Sequence, residues 1–161
     1  MLNKASVLKY LEDKNIDFIK YEHPPLFSVE ESDKANIPNR EKVIRNLFLR
    51  DSRKKHYYLV SLFVHKPIDL KDLKEKLGST RLSFVNPETM DEMLGVHPGS
   101  VTPLAILNND AKNVVMVFDK ALEHQTIGFH PLENTATVFM KFEDLYNLLL
   151  THGNEIRIID L

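Results

Sequence analysis

The 161-residue chain contains no cysteine, which removes disulfides, thiolate metal sites and a cysteine nucleophile together and makes a reducing cytosol the natural setting. Nowhere do eighteen apolar residues run together, and Met1 to Ser6 lacks the basic region followed by an apolar stretch of a secretion signal. The sequence therefore predicts neither a membrane span nor a signal peptide, and a cytoplasmic location. There is no long polar tract, internal repeat or linker. The seven histidines show no ligand-like spacing, so no metal site and no cofactor are expected.

With 43% hydrophobic and 27% charged residues, the chain has the composition of one ordinary globular domain spanning 1–161, large enough for a sizeable core. The net charge of −2 says little about partners, but its distribution says more. Between Arg40 and Lys55, seven basic residues stand against Glu41 and Asp51, a local excess of five. Such a cluster either touches phosphates or is a solvated hairpin.

The apolar spacing of Val7, Leu8 and Leu11 predicts a helix over 3–14, followed by a strand at 17–21 that His23-Pro24-Pro25 stops. Ser28 with Glu31 reads as a capping box opening a short helix to about Ala35. Residues 43–50 and 56–64 read as an antiparallel hairpin around a charged turn. Asp69 and Gly78 bound one helix, Pro87 and Gly95 another, and Gly153 ends a helix over 142–151. Residues 103–107, 114–118, 126–129, 135–140 and 156–159 read as strands. Strands interrupted by helices without regular alternation point to an α+β domain with a mixed sheet.

Two punctuated stretches stand out as site loops and are expected to face each other. Gly128 to Thr137 holds a glycine, a proline, a histidine that titrates near neutrality, and several short hydrogen-bonding side chains. Gly95 to Pro103 has two glycines and two prolines, which fix its backbone and allow close approach to a ligand.

Taken with Arg45-Asn46-Leu47-Phe48-Leu49-Arg50-Asp51 and Arg81-Leu82-Ser83-Phe84, the segments Gly95 to Pro103, Phe129-His130-Pro131 and Asn134-Thr135-Ala136-Thr137 resemble the freestanding prolyl-tRNA-synthetase-associated editing domains, the PrdX-like branch of the YbaK superfamily. The resemblance runs end to end. It implies a single α+β domain whose mixed, mostly antiparallel sheet curls barrel-like with flanking helices. It also implies hydrolysis of mischarged aminoacyl-tRNA, with alanyl-tRNA(Pro) the typical substrate and a transient contact with prolyl-tRNA synthetase.

The chemistry of that substrate asks for a positioned water, donors aimed at the developing oxyanion and positive charge for the nearby phosphates, with no obligatory metal or covalent nucleophile. By resemblance Arg45, Asn46, Gly99 and His130 take the catalytic positions. Ser100, Thr102 and Pro103 belong to the glycine-x-x-x-proline element, and Asn134 and Thr135 orient a loop or bind the substrate's amine. Phe27, Ile37 and Phe129 are candidate apolar walls of a pocket that must be small, because alanine can be told from proline only by size. Arg50, Arg53, Lys54 and Lys55 are candidate tRNA contacts.

Arg45 stands where family members usually carry lysine. Arginine keeps the charge and grips phosphate bidentately but does not deprotonate, so it is not a general base. Neighbours on a regular strand point to opposite faces, so Arg45 and Asn46 cannot both face one pocket without a bulge or a strand end. Two further readings stand beside alanyl-tRNA(Pro): a deacylase for serine, threonine or cysteine on tRNA, and a non-catalytic tRNA- or amino-acid-binding module.

Overall fold

The computed structural model describes residues 1–161. Helix α1 (Lys4–Asp13) starts at Asn3, whose side chain accepts from the Ser6 N–H while Ser6 reaches back, and it buries Val7 and Leu11. Strand β1 (Ile19–Glu22) leads to α2 (Val29–Lys34), a six-residue helix with no buried residue. Ser28 caps α2 through the Glu31 N–H, but the Glu31 carboxylate reaches one residue further back than expected, to the Phe27 N–H at 2.8 Å.

The central hairpin is β2 (Ile44–Arg50) against β3 (Tyr57–Phe63). Helix α3 (Leu70–Leu77), capped by Asp69 and closed by Gly78, leads to the two-residue β4 (Ser83–Phe84). Then α4 (Pro87–Leu94) runs to Gly95. Strand β5 (Val114–Asp119), β6 (Thr126–Phe129), β7 (Ala136–Lys141), α5 (Phe142–His152) and β8 (Ile156–Ile159) complete the chain.

One expected strand is not there. Pro103–Asn108 forms a fully buried 3-10 helix, because Pro103 suits a first helical position and the Thr102 hydroxyl accepts from the Leu104 N–H. Asn108 ties it to α4 by donating to the Leu94 carbonyl at 3.0 Å, and to the N-terminus by accepting from the Leu2 N–H at 2.7 Å.

Two sheets result, ordered β1-β7-β6 and β4-β2-β3-β5-β8. Four of the six strand pairings are antiparallel, and the β3-β5 and β5-β8 pairings are parallel. The sheets do not close into a barrel. They meet at a single parallel bridge, Val43 with Gly128, after which β2 and β6 part. Within its own sheet Gly128 makes room for the Phe139 ring on β7, since a Cβ there would stand 2.5 Å from Phe139 Cε1. The main core joins α1, α4, the 3-10 helix, α5 and the facing strands around Phe118, Phe129, Leu104 and Met116. No helix is long and apolar enough to cross a membrane.

Candidate active site

Where β2 and β6 part, a cleft of about 200 Å³ opens, lined by Arg40, Arg45, Asn46, Gly99, Val101 and His130 among others. That is below the roughly 300 Å³ at which pockets for drug-sized ligands begin. It has room for a group of only a few heavy atoms.

The strand edge explains how Arg45 and Asn46 both reach it. β4 pairs with β2 only at Leu49 and Arg50, so the first half of β2 has no such neighbour. The cleft lies along that edge and is flanked from both faces of the strand. The Val43 carbonyl accepts from the Val64 N–H on the β3 side, and the Phe48 carbonyl accepts from the Val85 N–H on the other side. Strict alternation between these two points aims the Asn46 N–H and C=O away from β3, toward the cleft. The Asn46 side chain is fixed as well: its Nδ2 donates to the Val101 carbonyl at 3.1 Å, and its Oδ1 accepts from the Ser61 hydroxyl opposite. Arg45 Nη2 donates to the Lys66 carbonyl at 2.8 Å, while its buried Nε has no acceptor.

The two punctuated loops meet across this cleft. Gly99 has φ +88°, and a Cβ at that position would lie 3.4 Å from Phe27 Cδ1 and 3.6 Å from Asn134 Nδ2. The Ser100 N–H is taken by the His97 carbonyl at 3.0 Å, whereas the Gly99 N–H donates to no protein acceptor. Asn134 Nδ2 donates to the Leu26 carbonyl at 2.8 Å and so anchors the segment that carries Phe27.

His130 combines a structural bond with a place on the cleft wall. Its Nδ1–H donates to the Ala136 carbonyl at 2.9 Å, which fixes the tautomer that leaves Nε2 an acceptor. Burial, partly opposed by that carbonyl and reinforced by the charges of His23 and Arg40, holds its pKa below the ordinary histidine value. His23 packs edge-on against it with ring centroids 5.9 Å apart and is itself fixed by Thr137 Oγ1 and the Pro24 carbonyl.

Several residues expected at the site stand elsewhere. Ile37 is buried with Leu26, Val43 and Phe139, and Phe129 lies in the main core, so neither forms a cleft wall. Phe27 does line the cleft, but at its mouth, with 71% of its surface exposed. Thr102 and Pro103 build the start of the 3-10 helix, and buried Ser100 closes the preceding turn. Thr135 Oγ1 accepts from Lys4 Nζ at 2.9 Å, and its carbonyl accepts from the His23 N–H, roles that hold the loop.

Arg50, Arg53, Lys54 and Lys55 sit at the far end of the hairpin, about 17 Å from Arg45 at ~3.3 Å per strand residue, too far to touch a group in the cleft. There Asp51, only 3% exposed, is the structural centre: its carboxylate accepts from the Lys55 and His56 N–H groups and from His56 Nδ1 at 2.7 Å. Burial pushes its pKa up, but these bonds outweigh that and hold it down at about 2. Arg40 was not singled out by sequence reading. It belongs to the same charge run as the hairpin tip, and only the fold turns it inward.

Comparison with known proteins finds relatives over nearly the whole chain. The chain is 36% identical over 159 residues to the prolyl-tRNA editing protein ProX of Acetoanaerobium sticklandii, covering 98% of this chain and 97% of that one. It is 37% identical over 143 residues to the prolyl-tRNA synthetase associated domain-containing protein 1 of Bos taurus, covering 83% and 81%. A solved structure described as a candidate trans-editing enzyme for prolyl-tRNA synthetase shares the fold, with a TM-score of 0.70 at 18% identity over 98% of this chain and 97% of that one. The family model for the aminoacyl-tRNA editing domain matches residues 23–148, which include every residue named on the cleft wall, and the chain belongs to that family.

Proposed function

We propose that this protein is a trans-editing hydrolase that removes a small amino acid from mischarged tRNA, alanyl-tRNA(Pro) first among the candidates. The observation that carries the reading is the convergence of Arg45, Asn46, the free Gly99 N–H and neutral His130 on one small cleft in a chain of this family. Water attacks the ester carbonyl, the bond to the terminal ribose oxygen breaks, and the products are the free amino acid and an uncharged tRNA end.

Each group has a task in that reaction. The Gly99 N–H, with the Asn46 N–H facing the same space, supplies donors to the oxyanion. Arg45 adds fixed positive charge beside the ester. His130, held by the Ala136 carbonyl, orders the loop and offers Nε2 as an acceptor to the substrate or the water, while the neighbouring ribose hydroxyl relays protons. The exposed cations at the hairpin tip, one strand length away, bind the acceptor stem outside the cleft.

The direct test is deacylation of a panel of tRNAs charged with alanine, serine, threonine, cysteine and proline. Fastest release of alanine from tRNA(Pro) supports the reading. Preference for another small residue would reassign the substrate, and tRNA binding without turnover of any ester would replace the enzyme by a binding module.

A further inference from the structure

Arg40 holds a guanidinium on the cleft wall with a buried donor that no protein acceptor meets. Asn36 and Asn39 both adopt φ +55° on either side of Pro38, and this doubled turn brings Arg40 onto the cleft wall shared with Arg45 and His130. Its side chain is 14% exposed. Nε lies 3.1 Å from Asp33 Oδ1 in an ion pair, and buried Nη1 has no acceptor. Asp33 is a poor sole partner, since it is 42% exposed and is shared with His65 Nε2 at 3.3 Å.

A guanidinium keeps its charge at neutral pH, and burying its donors without acceptors is costly. Buried donors without a protein acceptor call for a water, an ion or a ligand to supply one. Arg45 Nε, on the same wall, is buried and unpartnered too, so two guanidinium groups present unmet donors at one small cleft. The ligand implied is an anion. An aminoacyl ester has lost its carboxylate and offers only a carbonyl and an ammonium. The nearest full negative charge on a charged tRNA end is the phosphate on the 5′ side of the terminal adenosine.

We infer that Arg40 is a positioning residue that grips the 5′ phosphate of the terminal adenosine, leaving Arg45 beside the ester. This rests on the deacylase reading, and it divides the two arginines by task. Asp33 then acts as the placeholder that keeps Arg40 in the cleft until the phosphate arrives.

The test compares the alanyl ester of adenosine with the alanyl ester of adenosine 5′-monophosphate, and in parallel the binding of adenosine and of adenosine 5′-monophosphate by calorimetry. Wild type should favour the phosphorylated member of each pair by roughly tenfold or more, the scale of a charge-assisted hydrogen bond. Arg40→Met should collapse both ratios toward one, and Arg40→Lys should restore part of them. Asp33→Asn keeps an amide oxygen within reach of Arg40 to hold it at the cleft but removes the competing charge, and so should tighten binding of the monophosphate. A preference for the phosphate that survives in Arg40→Met, or weaker monophosphate binding in Asp33→Asn, overturns the inference. Should neither ester be hydrolysed while the binding preference still disappears in Arg40→Met, the deacylase reading fails and the phosphate grip stands.

Discussion

Replacing Arg45 by alanine should separate stability from chemistry. The substitution removes the bond from Nη2 to the Lys66 carbonyl, a charge-assisted contact worth about 1.5–3 kcal/mol. It also removes a buried Nε that has no acceptor, and relieving such a group returns about 1–3 kcal/mol. The two nearly cancel, so Arg45→Ala should unfold within about 4 °C of the parent, the shift that ~1 kcal/mol produces in a domain of this size. No such cancellation exists for the reaction. Removing one donor or charge that acts in the transition state costs roughly 10²–10³-fold in kcat, about 2.7–4 kcal/mol. Arg45→Lys keeps the charge, though with one reach instead of a fork, and should keep most of the activity. Single-turnover deacylation beside thermal unfolding of the three proteins decides the matter. An Arg45→Ala protein nearly as active as the parent would refute the reasoning, as would a loss of activity that merely follows a loss of stability.

Three other outcomes are expected. Because the pKa of His130 lies below 6.5, the group is neutral above that pH, and deacylation should be level from about pH 6.5 upward. His130→Gln should keep appreciable activity, and a rate step at or above pH 6.5 that disappears in this variant would make His130 the general base instead. The sign for stability is also fixed: the unfolded chain takes up a proton at His130 first, so this group's contribution falls as pH drops below 6.5 and levels below the folded pKa, as denaturant melts of wild type and His130→Gln would show. Asp51 behaves as a depressed carboxylate, so its contribution is complete above about pH 3.8 and is lost as pH falls toward 2; Asp51→Asn should flatten that part of the acid-unfolding curve. Reversing the charges of Arg53, Lys54 and Lys55 should weaken tRNA binding and flatten its salt dependence while hydrolysis of a minimal aminoacyl-adenosine ester changes little, and equal loss on both substrates would indicate a folding defect.

The parts of the fold legible in the sequence are those set by local chemistry. Ser28, Asp69 and Pro87 start helices and Gly78, Gly95 and Gly153 end them, because caps and left-handed turns depend on one or two residues. The β2-β3 hairpin was legible for the same reason. The 3-10 helix at Pro103–Asn108 was not, since a short apolar run reads alike as strand or buried helix until its packing is known. Nor was the parallel β3-β5 pairing, which joins residues more than fifty positions apart.

The same division runs through the site. Gly99 and His130 stood out by residue type, and the structure puts both on the cleft wall. Ile37 and Phe129 looked like wall residues only because apolar walls and apolar core share one composition. Arg40 was hidden in a run of cations that are mostly solvated. Its signal is the pair of asparagines around Pro38, residue types that tolerate positive φ and so mark a turn able to fold the following side chain inward.

The most direct test of the central claim is to mix alanyl-tRNA(Pro) and prolyl-tRNA(Pro), each carrying a differently labelled amino acid, in one reaction with the purified protein and follow both esters. A site that admits alanine and rejects the larger proline should release alanine well above the spontaneous rate and leave proline on its tRNA. Release of both at similar rates, or of neither, would contradict the account.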